Sequence, residues 1–129
     1  MNYQSWRGFP NPNFGYGSML KGFVDHVPDG CSLDSRASTD VYMGVPFGVK
    51  DWLKGQHRVC FTMWETNELP GSFIRWLKAY DQILVPCQHN VELFSPYHDD
   101  VSMVPLGVDS KFWSPKPDPT GVFRFHAGG

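Results

Sequence analysis

Arg58-Val-Cys-Phe-Thr-Met-Trp64-Glu-Thr-Asn-Glu-Leu-Pro70 is the stretch whose reading decides the fold. Val59 to Trp64 is almost wholly apolar, with β-branched and aromatic side chains. A short run of this kind suits a strand buried on both faces of a parallel sheet. It stops at Glu65-Thr66-Asn67-Glu68, where a buried strand would emerge. Pro70 and Gly71 then close the loop. Carboxylates and a hydroxyl therefore sit just past the carboxyl end of a central strand, the edge at which open α/β sheets bind ligands.

Working outward, Ser72 to Tyr80 has helical spacing: Phe73, Ile74, Trp76, Leu77 and Tyr80 share a face, and Ser72 is placed to cap it. Gln82 to Pro86 reads as the next strand, Gln88 to Ser95 as a helix and Val101 to Val104 as a last strand. Toward the N-terminus, Asp40 to Met43 reads as a strand, Cys31 to Ser38 as a short strand with its exit loop, and Met1 to Arg7 as a first strand. A helix with Met19, Leu20, Phe23, Val24 and Val27 on one face follows the loop Gly8 to Gly17, with Ser18 as its expected cap. A shorter helix is expected around Val49, Trp52 and Leu53. Strands alternating with helices predict an α/β fold with a parallel sheet, flanking helices and right-handed crossovers.

Composition narrows the function classes. The 129 residues suffice for one domain with a core but not for two. A formal charge of -2 gives no reason to expect nucleic acid or an anionic membrane as partner. Cys31, Cys60 and Cys87 form no CxxC pair, which argues against zinc, and buried free thiols are expected. No histidine has a partner at metal-ligand spacing, and His26, His57 and His98 are expected at the surface. With no leader pattern and no apolar run of membrane-spanning length, the expectation is a cytoplasmic protein without a transmembrane segment.

Three blocks in order, FTMWETNELP, ILVPCQHNVELF and VPLGVDSKFWSP, resemble the N-terminal half of a GT-B-fold glycosyltransferase of the large group 1 type. The resemblance covers roughly residues 14–129. It implies a Rossmann-like N-terminal, acceptor-side domain over residues 1–109, an interdomain linker over 110–121 and the first strand of a C-terminal domain over 122–129. The implied activity is sugar transfer from a nucleotide-sugar donor, a co-substrate rather than a cofactor, to a glycan or other hydroxyl acceptor. No metal is implied, and retention of the anomeric centre is favoured. Most donor contacts lie in the C-terminal domain in such enzymes, so the chain reads as a fragment inactive alone. The alternative is a non-catalytic carbohydrate- or nucleotide-binding α/β module.

Glu65 is the leading catalytic candidate, because it directly follows the buried strand. An equally weighted reading has it cap a loop or pair with Arg75 or Lys78. The first βα loop in similar enzymes faces the donor diphosphate, which implies substrate contacts at Gly15, Tyr16 and Gly17. Glycines there permit close backbone approach, although a plain turn into a helix reads as well. Thr66 and Asn67 are candidates for acceptor hydroxyls, although such residues are more often simple turn formers. Gln88 and His89 follow the next strand end, with Asn90 on the same edge. His126 and Gly128 belong to the strand and glycine turn that open the second domain in the resembling enzymes. The Gly107-Val108-Asp109 turn is expected to be structural, with Asp109 capping the next turn.

Overall fold

The computed structural model describes residues 3–8, 15–27, 32–33, 37–46, 53 and 56–111. Six parallel strands form one sheet: β1 (Tyr3–Arg7), β2 (Ser32–Leu33), β3 (Thr39–Met43), β4 (His57–Phe61), β5 (Gln82–Val85) and β6 (Val101–Met103). Their spatial order is β2-β1-β3-β4-β5-β6, and every neighbouring pair is parallel. The chain order reverses between β1 and β3. Among the described residues three helices accompany the strands: α1 (Gly15–Asp25), α2 (Gly71–Leu77) and α3 (Gln88–Phe94).

The sheet is covered on both faces, and the period of two along each strand sorts the side chains. Tyr42, Cys60, Ile83 and Val85 face one way and pack with Phe73, Leu77 and Phe94 of α2 and α3. Met43 and Phe61 face the other way and pack with Leu20 of α1. Cys60 and Phe61, adjacent on β4, are both fully buried, so the strand has no solvent face over its carboxyl half. Each such large apolar side chain contributes about 1.5–3 kcal/mol on removal from water. Phe23 tilts against Phe61 at 5.8 Å, and Phe73 stands between Trp64 at 5.0 Å and Phe94 at 6.0 Å. Val24, expected on the buried face of α1, is exposed.

The boundaries depart from expectation at three places. The strand predicted to run to Trp64 ends at Phe61. Thr62 N–H still donates to the Leu84 carbonyl at 2.9 Å, but the next two residues find side-chain partners instead of a ladder. α1 starts at Gly15, so Ser18 lies within the helix and does not cap it. α2 starts at Gly71 behind Pro70, so Ser72 is not its cap either. The first turn of a helix has no intrahelical acceptors for its N–H groups, so poor helix formers are tolerated there. Tyr80 lies past α2 but remains buried, reached through a turn in which its N–H donates to Leu77 O at 3.1 Å.

Both ends of the sheet are tied. At the amino edge, Asp81 accepts from the Arg58 backbone N–H at 2.7 Å and faces its guanidinium at 3.4 Å. The backbone bond from Arg58 is the main reason the Asp81 carboxyl sits below its ordinary range. His98, expected at the surface, is half-buried here: Nδ1 accepts from Asp100 N–H at 3.1 Å, leaving Nε2 to donate to Tyr80 O at 3.1 Å. At the carboxyl edge two glycines let elements close up. A Cβ on Gly8 would stand 2.9 Å from both Met43 O and Leu20 Cδ2, and one on Gly44, whose φ is 154°, would meet the Tyr42 hydroxyl at 2.7 Å.

The helix expected at Val49 to Leu53 lies largely outside the described residues, as does Cys31. Cys60 is a buried free thiol, whereas Cys87, expected buried, is exposed. No helix among the described residues is long and apolar enough to cross a membrane.

Candidate functional site

In an all-parallel sheet the carboxyl ends of the strands share one edge, and each following loop or helix begins there. The described candidates are distributed along that edge on three segments: the start of α1, the loop after β4 and the start of α3. Two sets of hydrogen bonds bring them together.

The first is made by Tyr16. Its hydroxyl donates to the Met63 carbonyl at 3.1 Å, accepts from the Met63 N–H at 3.1 Å and lies 3.4 Å from Thr62 Oγ1. The first turn of α1 is thereby fastened to the tip of β4, two residues before Glu65. Burial pushes the Tyr16 phenol above its ordinary value, against the pull of the Thr62 and Met63 bonds; the nearby charges of Cys60 and Glu65 add a smaller push upward. The hydroxyl is fully engaged in holding the backbone. Gly15 is exposed and Gly17 is buried beside it.

The second is made by Asn90, which is 2% exposed. Its Oδ1 accepts from Trp64 N–H at 3.1 Å, and its Nδ2 donates to Trp64 O at 2.7 Å. Sequence reasoning placed Asn90 on this edge without a role. A polar residue in the first turn of a helix, preceded by two exposed polar ones, gives no sign of which partner it serves.

The loop after β4 is itself cross-braced. Trp64 Nε1 donates to Thr66 Oγ1 at 2.7 Å and to Glu68 O at 2.8 Å, and Thr66 Oγ1 donates to Glu68 O at 3.1 Å. Thr66 thus spends its donor within the loop, which favours the turn-forming reading of that residue. Glu65, Asn67 and Glu68 are exposed. Among the described residues Glu65 makes no ion pair with Arg75 or Lys78. Its carboxylate is therefore available to a ligand at the sheet edge. Gln88 and His89 are exposed in the first turn of α3, with Gln88 Nε2 donating to Glu92 Oε1 at 3.2 Å.

His126 and Gly128 lie outside the described residues. Asp109 accepts from Lys111 N–H at 2.9 Å, the turn-capping bond its sequence position predicts. Among the described residues no three or more His, Cys, Asp or Glu side chains converge as metal ligands. Chemically, the edge offers the exposed carboxylates of Glu65 and Glu68, exposed amide and imidazole groups, and the N–H groups of a helix start within reach of the same strand tip. No protein-family model, curated protein or solved structure matches this chain.

Proposed function

We infer that this edge is the acceptor-side half of a glycosyltransferase site, in a Rossmann-like domain of GT-B type that takes a nucleotide-sugar donor. The observation that carries the reading is the Tyr16–Met63 contact, since it sets the start of α1 beside the strand tip bearing Glu65. Transfer from a nucleotide sugar must stabilise a departing diphosphate and orient an acceptor hydroxyl. N–H groups at the start of α1, around Gly15 and Gly17, suit the first task. Glu65 suits the second: a carboxylate within reach of the acceptor hydroxyl orients it and can take its proton. Asn67, Gln88 and His89 are exposed along the same rim and suit hydrogen bonding to sugar hydroxyls. His126 and Gly128 would add donor contacts in the reading drawn from the sequence motifs.

The test is a nucleoside-diphosphate release assay with a panel of nucleotide sugars. It is run on this chain and on any longer natural product that contains it, each with and without Glu65→Gln. Release and sugar transfer by any such longer product, lost in Glu65→Gln, is the expected result, with little turnover by this chain alone. Binding without turnover in both would favour the non-catalytic carbohydrate- or nucleotide-binding module. Neither binding nor turnover would remove the sugar-transfer reading.

A further inference from the structure

We propose that Asn90 is a positioning residue of the candidate site: from the start of α3 it fixes the two peptide planes around Trp64 and so aims Glu65. The Trp64 N–H belongs to the peptide joining it to Met63, and the Trp64 carbonyl to the peptide joining it to Glu65. One side chain, Asn90, holds both, at 3.1 Å and 2.7 Å. An amide suits this, because it carries an acceptor and a donor on separate atoms of one planar group. A carboxylate cannot donate to the carbonyl, and an apolar side chain leaves both groups unsatisfied in a part-buried place. The reverse orientation of the Asn90 amide would set donor against donor and acceptor against acceptor, so the partners also dictate which way it points.

The restraint continues in both directions from Trp64. Upstream, Met63 is held by Tyr16 on α1. Downstream, the Trp64 indole is hydrogen-bonded to Thr66 and to Glu68 O, and its ring packs on Phe73. Glu65 is the exposed residue in the middle of this braced run. A group held in this way meets a ligand without first ordering its own backbone, which is how a site built on a strand tip gains precision. The inference rests on the geometry of the edge alone and stands whether or not a sugar is transferred there.

The experiment compares wild type, Asn90→Ala and Asn90→Asp in the whole chain. It measures backbone ¹⁵N order parameters for residues 65–68 and hydrogen exchange at the Trp64 indole N–H, with the Ile83 and Val85 amides reporting global stability. In Asn90→Ala the order parameters are expected to fall from about 0.85 toward about 0.6. Exchange at the Trp64 indole should rise by about tenfold more than exchange at Ile83 and Val85. Asn90→Asp keeps an acceptor for Trp64 N–H and should fall between; if Asn90→Ala does not fold, this variant decides by the same comparison. A loop that stays as rigid as in wild type, or loosens only in proportion to the β5 amides, would overturn the proposal.

Discussion

The hydroxyl of Tyr16 stands 3.1 Å from both the N–H and the carbonyl of Met63, so a residue in the first turn of α1 completes the backbone hydrogen bonding of a strand that ended two residues earlier. The same contact ties α1, on one face of the sheet, to the loop that leads into α2 on the other. It is therefore both a structural clasp and the link that assembles the candidate site.

Removing that hydroxyl should be felt at once. Tyr16→Phe keeps the ring but leaves the Met63 N–H and carbonyl without their partner in a part-buried position. A loss of about 1–3 kcal/mol is expected from urea denaturation, because stranded polar groups cost more than an average hydrogen bond contributes. A change within experimental error would mean that water replaces the phenol there and that the clasp is dispensable.

Alkaline pH should unfold the protein through its buried phenols and thiol. Burial pushes Tyr42 up to about 12 and raises Tyr16, Tyr80 and the Cys60 thiol above their ordinary values. Each group is held protonated in the folded state, so its contribution is complete below the ordinary value. It declines once the unfolded chain ionises and is gone above the raised value. For Tyr42 the window runs from 10.0 to about 12. Urea midpoints should be flat from about pH 7 to pH 8, begin to fall near pH 9 as the thiol of the unfolded chain ionises, and fall steeply beyond about pH 10. Tyr80 is the informative control: its hydroxyl is buried with no partner in bonding geometry among the described residues, the Cys60 thiol beside it being only a weak one. Tyr80→Phe should leave stability unchanged or raise it by up to about 1 kcal/mol, and should shallow the alkaline decline.

Two glycines on the carboxyl edge should respond oppositely to alanine. Gly44 has φ 154° and its Cβ would collide with the Tyr42 hydroxyl, so Gly44→Ala should cost about 1–3 kcal/mol. At Gly15, in the first turn of α1, a Cβ meets nothing within 4 Å, so Gly15→Ala should stabilise by about 0.4–1 kcal/mol through the unfolded chain. Thermal melts of the two variants side by side check both signs.

Much of the sheet was legible because buried parallel strands announce themselves as short apolar runs. Val59 to Phe61 and Ile83 to Val85 are such runs, and both prove buried, interior strands. The polar break at Glu65 to Glu68 likewise marked where the chain leaves the carboxyl edge of the sheet. What the residues did not disclose was where each element stops. Met63-Trp64 is as apolar as the strand before it, yet it leaves the ladder because its backbone is served by Tyr16 and Asn90, which are 47 and 26 residues away in sequence. No local pattern encodes a partner at that distance. The helix starts were misplaced for a related reason. Ser18 and Ser72 carry the side chains favoured at caps, but the chain turned helical earlier, at Gly15 and Gly71. Among the site residues, position was readable and engagement was not: Thr66 looked as free as Asn67 until the Trp64 indole was found bonded to it.

The most direct test of the account is an NMR titration of the whole chain with nucleotide sugars, following backbone amides. Shifts are expected at Gly15 to Gly17, Glu65 to Asn67 and Gln88 to His89 together, with the amino edge around Asp81 and His98 silent. Saturable shifts centred on the amino edge, or none anywhere at millimolar ligand, would contradict it.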